Sequence, residues 1–154
     1  MAAVVALFTC PNQGQPMQQC MSVEARAGYG LVGDRYATDQ GAFSQARRTV
    51  RHVSLIAAEA MAEANQELLK QFLPEETRRN ILTQGVDLNS LVGKMFTVGL
   101  VQMRGVELCD PCDRPSKLAG KPGFKHAFDQ RGGLRAELLT SGVIAIGDSV
   151  TVIG

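Results

Sequence analysis

The sequence has almost no excess of charge of either sign. Sixteen lysines and arginines stand against fifteen aspartates and glutamates, which gives a formal net charge of +1. A chain with so little net charge has no overall basic field to attract nucleic acid or an anionic membrane. We therefore expect no nucleic-acid partner and no membrane partner, and any ligand has to be inferred from local groups of residues.

Long apolar runs are also missing. The run at residues 2–8 falls far short of the roughly 20 residues that a membrane-spanning helix needs. The first ten residues lack the basic stretch that opens a secretory signal, so we expect a cytoplasmic protein whose thiols stay reduced. The cysteines are then better candidates for reactive or metal-binding roles than for disulfides. They are Cys10, Cys20, Cys109 and Cys112.

Repeats, low-complexity tracts and linkers are absent, so we expect a single domain over residues 1–154. Only Ala57 to Phe72 has the apolar spacing and composition of a long helix, which argues against alternating strands and helices in a parallel sheet. The pattern predicts a mainly β protein with helical insertions (α+β), similar to a β-barrel. Strands are predicted over residues 4–9, 21–26, 50–56 and 81–83, strand pairs over 95–109 and 134–153, and helical turns at 87–91 and 124–128.

Two of the cysteines lie three positions apart in RGVELCDPCDRPSKLAG, residues 104–120. A structural zinc site needs four ligands, commonly in two close pairs, but Cys10 and Cys20 are ten positions apart. A thioredoxin-like redox pair stands at the start of a helix, and Pro115 is expected to interrupt any helix here. Neither interpretation matches the pattern fully.

A single working cysteine is a third interpretation. Arg114 and Lys117 follow Cys112 closely in sequence, and nearby cations favour a thiolate. Both thiols could instead be small buried apolar side chains, which is a common state of free cysteine. The charged neighbours Asp110 and Asp113 indicate a surface loop or a cleft, which favours the working cysteine over burial.

Basic residues that could bind an anion occur in three segments, ARRTVRH, TRRNI and QRGGLRA, and GLVGDRYA adds a glycine-framed Asp-Arg pair. Arginine forks match phosphate oxygens, and glycines let backbone amides approach an anion. Each segment alone is more typical of a solvated surface or a tight turn. The residues concerned are Asp34, Arg35, Arg47, Arg48, Arg51, Arg78, Arg79, Asn80, Arg131, Gly132, Gly133 and Arg135.

Taken in order, GLVGDRYA, VSLIAAEA, TRRNILTQGVDLNSLVGKMFTVG, RGVELCDPCDRPSKL, RGGLRAELLTSG and IAIGDSV resemble a MOSC domain, the module named for the C-terminus of molybdenum cofactor sulfurase. The resemblance covers the chain from about residue 20 onward and is closest in kind to the free-standing bacterial type. It implies a β-barrel-like MOSC fold with one functional cysteine in a P-C-x-x-x-x-K/L loop. That position is Cys112. The chain departs from the family pattern at Tyr36, where many relatives have histidine, and at Asp113, where an aromatic residue is frequent.

The resemblance also implies a cofactor. Family members bind molybdenum cofactor (molybdopterin), with the cysteine sulfur on the metal and arginine and asparagine side chains on the pterin phosphate. On this chain the implied catalytic residue and metal ligand is Cys112. The implied cofactor-binding residues are Asp34, Arg35, Arg78, Arg79, Asn80, Lys117, Gly133 and Arg135.

Two alternatives stay open at the level of sequence. In the first, Cys112 is a sulfur carrier that accepts a persulfide from a cysteine desulfurase, and pyridoxal phosphate then belongs to that partner. In the second, the cysteines bind zinc in a non-catalytic module. The cofactor-binding interpretation implies oxygen-transfer or reductase chemistry supported by a redox partner protein.

Overall fold

The computed structural model describes residues 2–37 and 52–153. No helix within these two ranges is both long and apolar enough to cross a bilayer. The strands are β1 Ala3–Thr9, β2 Gln18–Cys20, β3 Ser22–Arg26, β4 Gly30–Leu31, β5 Val53–Ala57, β6 Ile81–Gln84, β7 Met95–Val98, β8 Val101–Leu108, β9 Leu134–Leu138, β10 Gly142–Ala145 and β11 Val150–Val152. The helices are α1 Ala58–Gln66, α2 Arg114–Ala119 and α3 Phe124–Ala127, and single 3₁₀ turns cover Pro74–Thr77 and Leu88–Leu91.

Eight strands form one curled sheet in the order β11-β7-β8-β9-β5-β6-β1-β2, and β10, β3 and β4 form a small second sheet. Only β5 and β6 pair in parallel within the large sheet, and α1 lies in the crossover between them. The turn before β11 bonds to β1: the amide of Val4 donates to the carbonyl of Asp148 at 2.9 Å. Because β11 and β1 stand near opposite ends of the order, this contact curls the sheet into a partly closed barrel.

The two faces of the sheet bury separate apolar clusters. Alternate residues of one strand point to opposite faces, so Leu55 joins the cluster inside the curl and Ile56 joins the cluster outside it. In the outer cluster the rings of Phe124 and Phe128 stack with centroids 4.3 Å apart, and Phe72 meets Phe124 edge-on at 5.1 Å. This packing fixes α3 and the segment that leads into β9.

The long helix is shorter than the sequence predicts, because α1 ends at Gln66 and not at Phe72. The side chain of Asn65 turns the chain back: its Nδ2 donates to the carbonyl of Phe72 at 3.1 Å, and its Oδ1 accepts from the amide of Phe72 at 2.8 Å. Phe72 thereby reaches the aromatic cluster.

Three other local predictions need correction or fall outside the structure. A helix, α2, does follow the cysteines, because Pro115 lies in its first turn, where a missing N–H costs no hydrogen bond. Residues 134–153 contain three strands, not two, and β10 belongs to the second sheet. The predicted strand at 50–56 begins at Val53. Its first two residues, together with Arg47, Arg48 and Arg51, lie outside the described residues.

His52 forms a hydrogen bond that depends on pH. Its Nδ1 accepts from the amide of Leu138 at 2.9 Å, which requires a neutral ring. Burial lowers the pKa of His52 from its ordinary value of 6.5, and the negative charge of Glu137 opposes part of that change. The unfolded chain therefore binds the proton more readily than the folded chain. This contribution to stability is complete above the unfolded pKa and is lost as the pH falls through the folded pKa.

We expect His52→Gln to weaken the dependence of stability on pH. Urea unfolding at about pH 7.5 and about pH 5 measures the free energy of unfolding at both ends of the titration. The wild-type chain should lose more stability on acidification than the variant does, by up to about 1 kcal/mol, the value of one lost hydrogen bond. His126→Gln, at an exposed position, is the matched control. Equal losses in wild type and His52→Gln would contradict this assignment.

Candidate functional site

A pocket opens beside the central strands β5, β6 and β9, and the loop after β8 and the start of α2 form its wall. Its cavity volume is about 70 Å³, and it is partly open to solvent. Among the described residues, five arginines and two cysteines face it, against a single carboxylate. The lining residues are Arg35, Tyr36, Val53, Ser54, Arg78, Arg79, Asn80, Cys109, Asp110, Cys112, Arg114, Pro115 and Arg135.

Strand register brings several of these side chains into one row. Ser54 on β5 pairs with Arg135 on β9, and Arg135 pairs in turn with Glu107 on β8. On the other side of β5, Leu55 pairs with Ile81, which places Asn80 level with Ser54. Directly opposed residues share a face of the sheet, so these polar side chains meet although they are far apart in sequence.

Asn80 is the hydrogen-bonding centre of this row. Its Nδ2 donates to the carbonyl of Phe8 at 3.1 Å and to Oδ1 of Asp34 at 3.2 Å. Its Oδ1 accepts from the amide of Ser54 at 3.1 Å and from the Ser54 hydroxyl at 3.2 Å. These four bonds use both hydrogens and both lone pairs of the amide. Asn80 therefore holds together the segments around the pocket. Its side chain has no hydrogen-bonding group left over for a phosphate.

Asp34 is a second residue that holds together the segments around the pocket. It is fully buried, and its carboxylate accepts from the amide of Cys10 at 3.0 Å, the guanidinium of Arg35 at 3.2 Å and the amide of Tyr36 at 3.3 Å. Asp34 does not line the pocket. The role of Asp34 in cofactor binding stays a prediction; in the structure its carboxylate fixes the loop that carries Arg35.

Arg35 and Arg78 place two positive charges at the buried end. Nη2 of Arg35 donates to the carbonyl of Arg78 at 3.3 Å, and Nη1 of Arg78 donates to the carbonyl of Gln15. Burial lowers the pKa of Arg78, and the positive charges of Arg35 and Arg114 lower it further, while the Cys10 thiol opposes them. An anion in the pocket relieves this crowding of like charge. Arg78 also has φ of +69°, a left-handed conformation that costs a non-glycine residue about 1 kcal/mol or more.

The other three arginines differ in how many of their guanidinium groups' donors are already bonded to other residues. Nε of Arg79 donates to the carbonyl of Gly132 at 2.7 Å, and Arg135 forms an ion pair with Glu107 at 2.8 Å. The guanidinium of Arg114, in the first turn of α2, has no hydrogen bond or ion pair with the described part of the chain. Arg114 is therefore the pocket arginine whose guanidinium is most available to a ligand.

The two cysteines of the pocket differ in exposure. Cys109 is 3% exposed, whereas Cys112 is partly exposed. The amide of Cys109 donates to the carbonyl of Gly133 at 2.8 Å, and a Cβ at Gly132 would clash with the carbonyl oxygen of Cys109. This close approach pins the cysteine loop to the start of β9 and leaves Cys112 as the accessible thiol. Within residues 2–37 and 52–153, no group of three or more His, Cys, Asp or Glu side chains is placed to hold a metal.

Besides Asp34, two further residues implied by the resemblance do not line the pocket. Lys117 is exposed on α2. Gly133 is buried with φ of +103°, and a Cβ there would clash with the carbonyl oxygen of Leu55. Glycine at 133 is therefore explained by packing against β5, and contact with an anion is not needed to explain it. Sequence reasoning did not single out Ser54 at all, because only the strand register brings it to the pocket.

Comparison with known proteins places the chain in a family. The model of the MOSC domain matches residues 44–151, and the chain belongs to the MOSC domain family. This confirms the family that the sequence motifs indicate. No curated protein matches the chain.

Solved structures share the fold at low sequence identity. The YuaD protein from Bacillus subtilis superposes with a TM-score of 0.79 at 20% identity, over 99% of this chain and 96% of that chain. YiiM from Geobacillus stearothermophilus has a TM-score of 0.72 at 13% identity, over 100% of this chain and 76% of that chain. YiiM from Escherichia coli has a TM-score of 0.70 at 13% identity, over 99% and 70% of the two chains. These likenesses confirm the mainly β, barrel-like fold.

Proposed function

We propose that this MOSC domain binds molybdenum cofactor in the arginine-lined pocket, with the thiolate of Cys112 as a ligand to the metal. The observation that carries the proposal is that a partly exposed thiol and five guanidinium groups line the same pocket. A thiolate is a soft donor suited to a metal that already has sulfur ligands. Guanidinium forks match the oxygens of a phosphate.

The donor set fits the cofactor, and the size of the pocket limits how it can be held. The cavity of about 70 Å³ accommodates a phosphate or another small anionic group. This volume is below the roughly 300–1,000 Å³ usual for ligand sites, so the larger pterin ring system would extend out of the pocket towards solvent. Arg78 and Arg114 are the residues we expect to contact the anionic group, while Asp34 and Asn80 hold the surrounding loops.

The bound cofactor would supply oxygen-atom transfer or reduction, with electrons from a redox partner protein. The chain itself would bind the cofactor, orient it and provide positive charge opposite its anionic group. Arg79 and Arg135 add positive charge beside Cys112, and their partners Gly132 and Glu107 fix where that charge lies. These contacts favour a dianionic group over a neutral one.

Sulfur carriage is the second candidate function. The observation that favours it is the position of Cys112 in the loop before α2, where the thiol is partly exposed and can be reached by a protein that carries a persulfide. Such a partner would be a pyridoxal-phosphate-dependent cysteine desulfurase. Carriage needs no bound metal or pterin, so chemical analysis of the purified protein separates it from cofactor binding.

The experiment is to produce the chain in a host that makes molybdenum cofactor and to measure its molybdenum and pterin content. We expect both in the wild-type chain. Arg114→Ala should lower cofactor affinity about ten-fold or more, because a hydrogen bond to a charged group is worth about 1.5–3 kcal/mol. Arg104→Ala is the matched control, since Arg104 is half-exposed on β8, contacts Glu137 at 4.0 Å and does not line the pocket.

The contrary results are equally specific. Equal retention by Arg114→Ala and Arg104→Ala would show that the pocket arginines do not hold the cofactor. Zinc alone would support the non-catalytic zinc module. Neither metal nor pterin, together with a persulfide on Cys112, would support sulfur carriage.

A further inference from the structure

We propose that this pocket is also a site for thiosulfate, an oxyanion that carries a sulfane sulfur, and that Cys112 takes up that sulfur as a persulfide. This activity goes beyond cofactor binding, because it needs neither molybdenum nor pterin. It also needs no partner protein to deliver the sulfur. Three features of the pocket carry it: its size, its charge and the position of the thiol.

The cavity volume suits a small anion. About 10–15 Å³ of such space accommodates one water molecule, so roughly five to seven atoms of that size fill a pocket of about 70 Å³. Thiosulfate consists of two sulfur and three oxygen atoms. The whole ion therefore fits inside, whereas a pterin has to remain in the mouth.

The charge of the pocket suits a dianion. Within residues 2–37 and 52–153, the lining carries five guanidinium groups and one carboxylate, and that carboxylate, Asp110, is exposed. The carboxylates closest to the arginines, Asp34 and Glu107, are paired with Arg35 and Arg135. Arg114 has no such partner in the described part of the chain, so its charge is available to a ligand. Arginine forks bind the oxygens of tetrahedral anions in pairs.

The position of the thiol distinguishes thiosulfate from a plain anion such as phosphate. Cys112 lines the same pocket and is partly exposed, whereas Cys109 beside it is buried. The thiolate can react only with a bound anion that offers it an electrophilic atom, and the oxygens of a phosphate offer none. The outer sulfur of thiosulfate is such an atom, because attack on it releases a stable anion.

The transfer is balanced without any further reactant. The thiolate sulfur of Cys112 attacks the outer sulfur of thiosulfate and forms a new S–S bond. The S–S bond within thiosulfate breaks, and its electron pair leaves with sulfite. The Cys112 thiolate and the thiosulfate dianion give a persulfide anion and the sulfite dianion, so no proton, oxidant or reductant is consumed. The arginines that bind the oxygens of thiosulfate hold the same oxygens in the sulfite that departs.

The test uses the full chain, reduced and then incubated with thiosulfate. We expect the intact mass to rise by one sulfur, about 32 Da, with peptide mapping placing it on Cys112 and one sulfite released per chain. Cyanide should then remove the sulfur as thiocyanate. Sulfate should slow the reaction by competing for the arginines. Arg114→Ala should react about ten-fold more slowly through weaker binding, because one charge-assisted contact is lost.

Matched variants decide the result. Cys112→Ser should gain no sulfur, while Cys20→Ser and Arg104→Ala, both outside the pocket, should react like the wild-type chain. No gain of mass in the wild type, equal gain in Cys112→Ser, or sulfur found on Cys109 would overturn the inference. The thiosulfate site and cofactor binding can fail separately. A chain that contains molybdenum and pterin but takes up no sulfur would overturn only the thiosulfate site. A chain that takes up sulfur but contains no cofactor would overturn only the proposed function.

Discussion

Cys112→Ser is expected to abolish retention of molybdenum while leaving the fold intact. Cys112 lines the pocket and is partly exposed, and under the proposed function its thiolate would be the soft donor to the metal, which a hard, neutral serine hydroxyl replaces poorly. We expect molybdenum content to fall by about 100-fold, because the lost donor is a direct ligand. The free energy of unfolding, measured in urea, should change by less than about 0.5 kcal/mol, as for most surface substitutions.

Cys109→Ser is the matched control for this prediction. Cys109 is 3% exposed and its backbone is pinned to Gly133, so a buried hydroxyl there should cost about 1 kcal/mol of stability. Molybdenum retention should nevertheless survive. If Cys109→Ser loses the metal and Cys112→Ser keeps it, the functional sulfur has been assigned to the wrong cysteine of the pair.

The second large effect is expected at Asn80, and it concerns stability. Asn80→Ala removes a side chain that is 2% exposed and makes four hydrogen bonds. It leaves the carbonyl of Phe8, the amide of Ser54 and the carboxylate of Asp34 each short of a partner in a buried setting. Each unsatisfied buried group costs about 1–3 kcal/mol, so we expect a loss of about 3 kcal/mol or more in urea unfolding.

An exposed asparagine provides the comparison. Asn89 donates one hydrogen bond, to the carbonyl of Gln130 at 3.0 Å, and Asn89→Ala should cost less than about 1 kcal/mol. One other outcome for Asn80→Ala would show that the Asn80 side chain acts in ligand binding. If Asn80→Ala unfolds like the wild type but binds the cofactor weakly, its amide contacts the ligand directly, as the family resemblance implies.

Local patterns predict most of the elements of this fold. Alternating and β-branched stretches correctly indicate β1, β3 and β6, and Asp87 correctly precedes the 3₁₀ turn Leu88–Leu91. The errors arise where distant contacts decide. The side chain of Asn65 ends α1 by bonding to Phe72, and pairing of β10 with β3 removes β10 from the large sheet. Neither contact is visible in a local window of sequence.

The sequence motifs indicate several of the residues that line the pocket, but not how the fold arranges them. The motifs single out Arg78, Arg79 and Arg135, which the fold brings to one pocket. They give no sign that the amide of Asn80 is already saturated, because its four partners come from distant segments. They also suggest Lys117 beside Cys112, whereas the short helix α2 directs Arg114 to the pocket and leaves Lys117 outside it.

The most direct test of the central claim is X-ray absorption at the molybdenum edge, with the chain loaded with molybdenum cofactor and the free cofactor as reference. We predict one more sulfur neighbour around molybdenum in the protein than in the free cofactor, supplied by Cys112. An identical number of sulfur neighbours would contradict it and would leave the pocket as an anion site whose cysteine does not touch the metal.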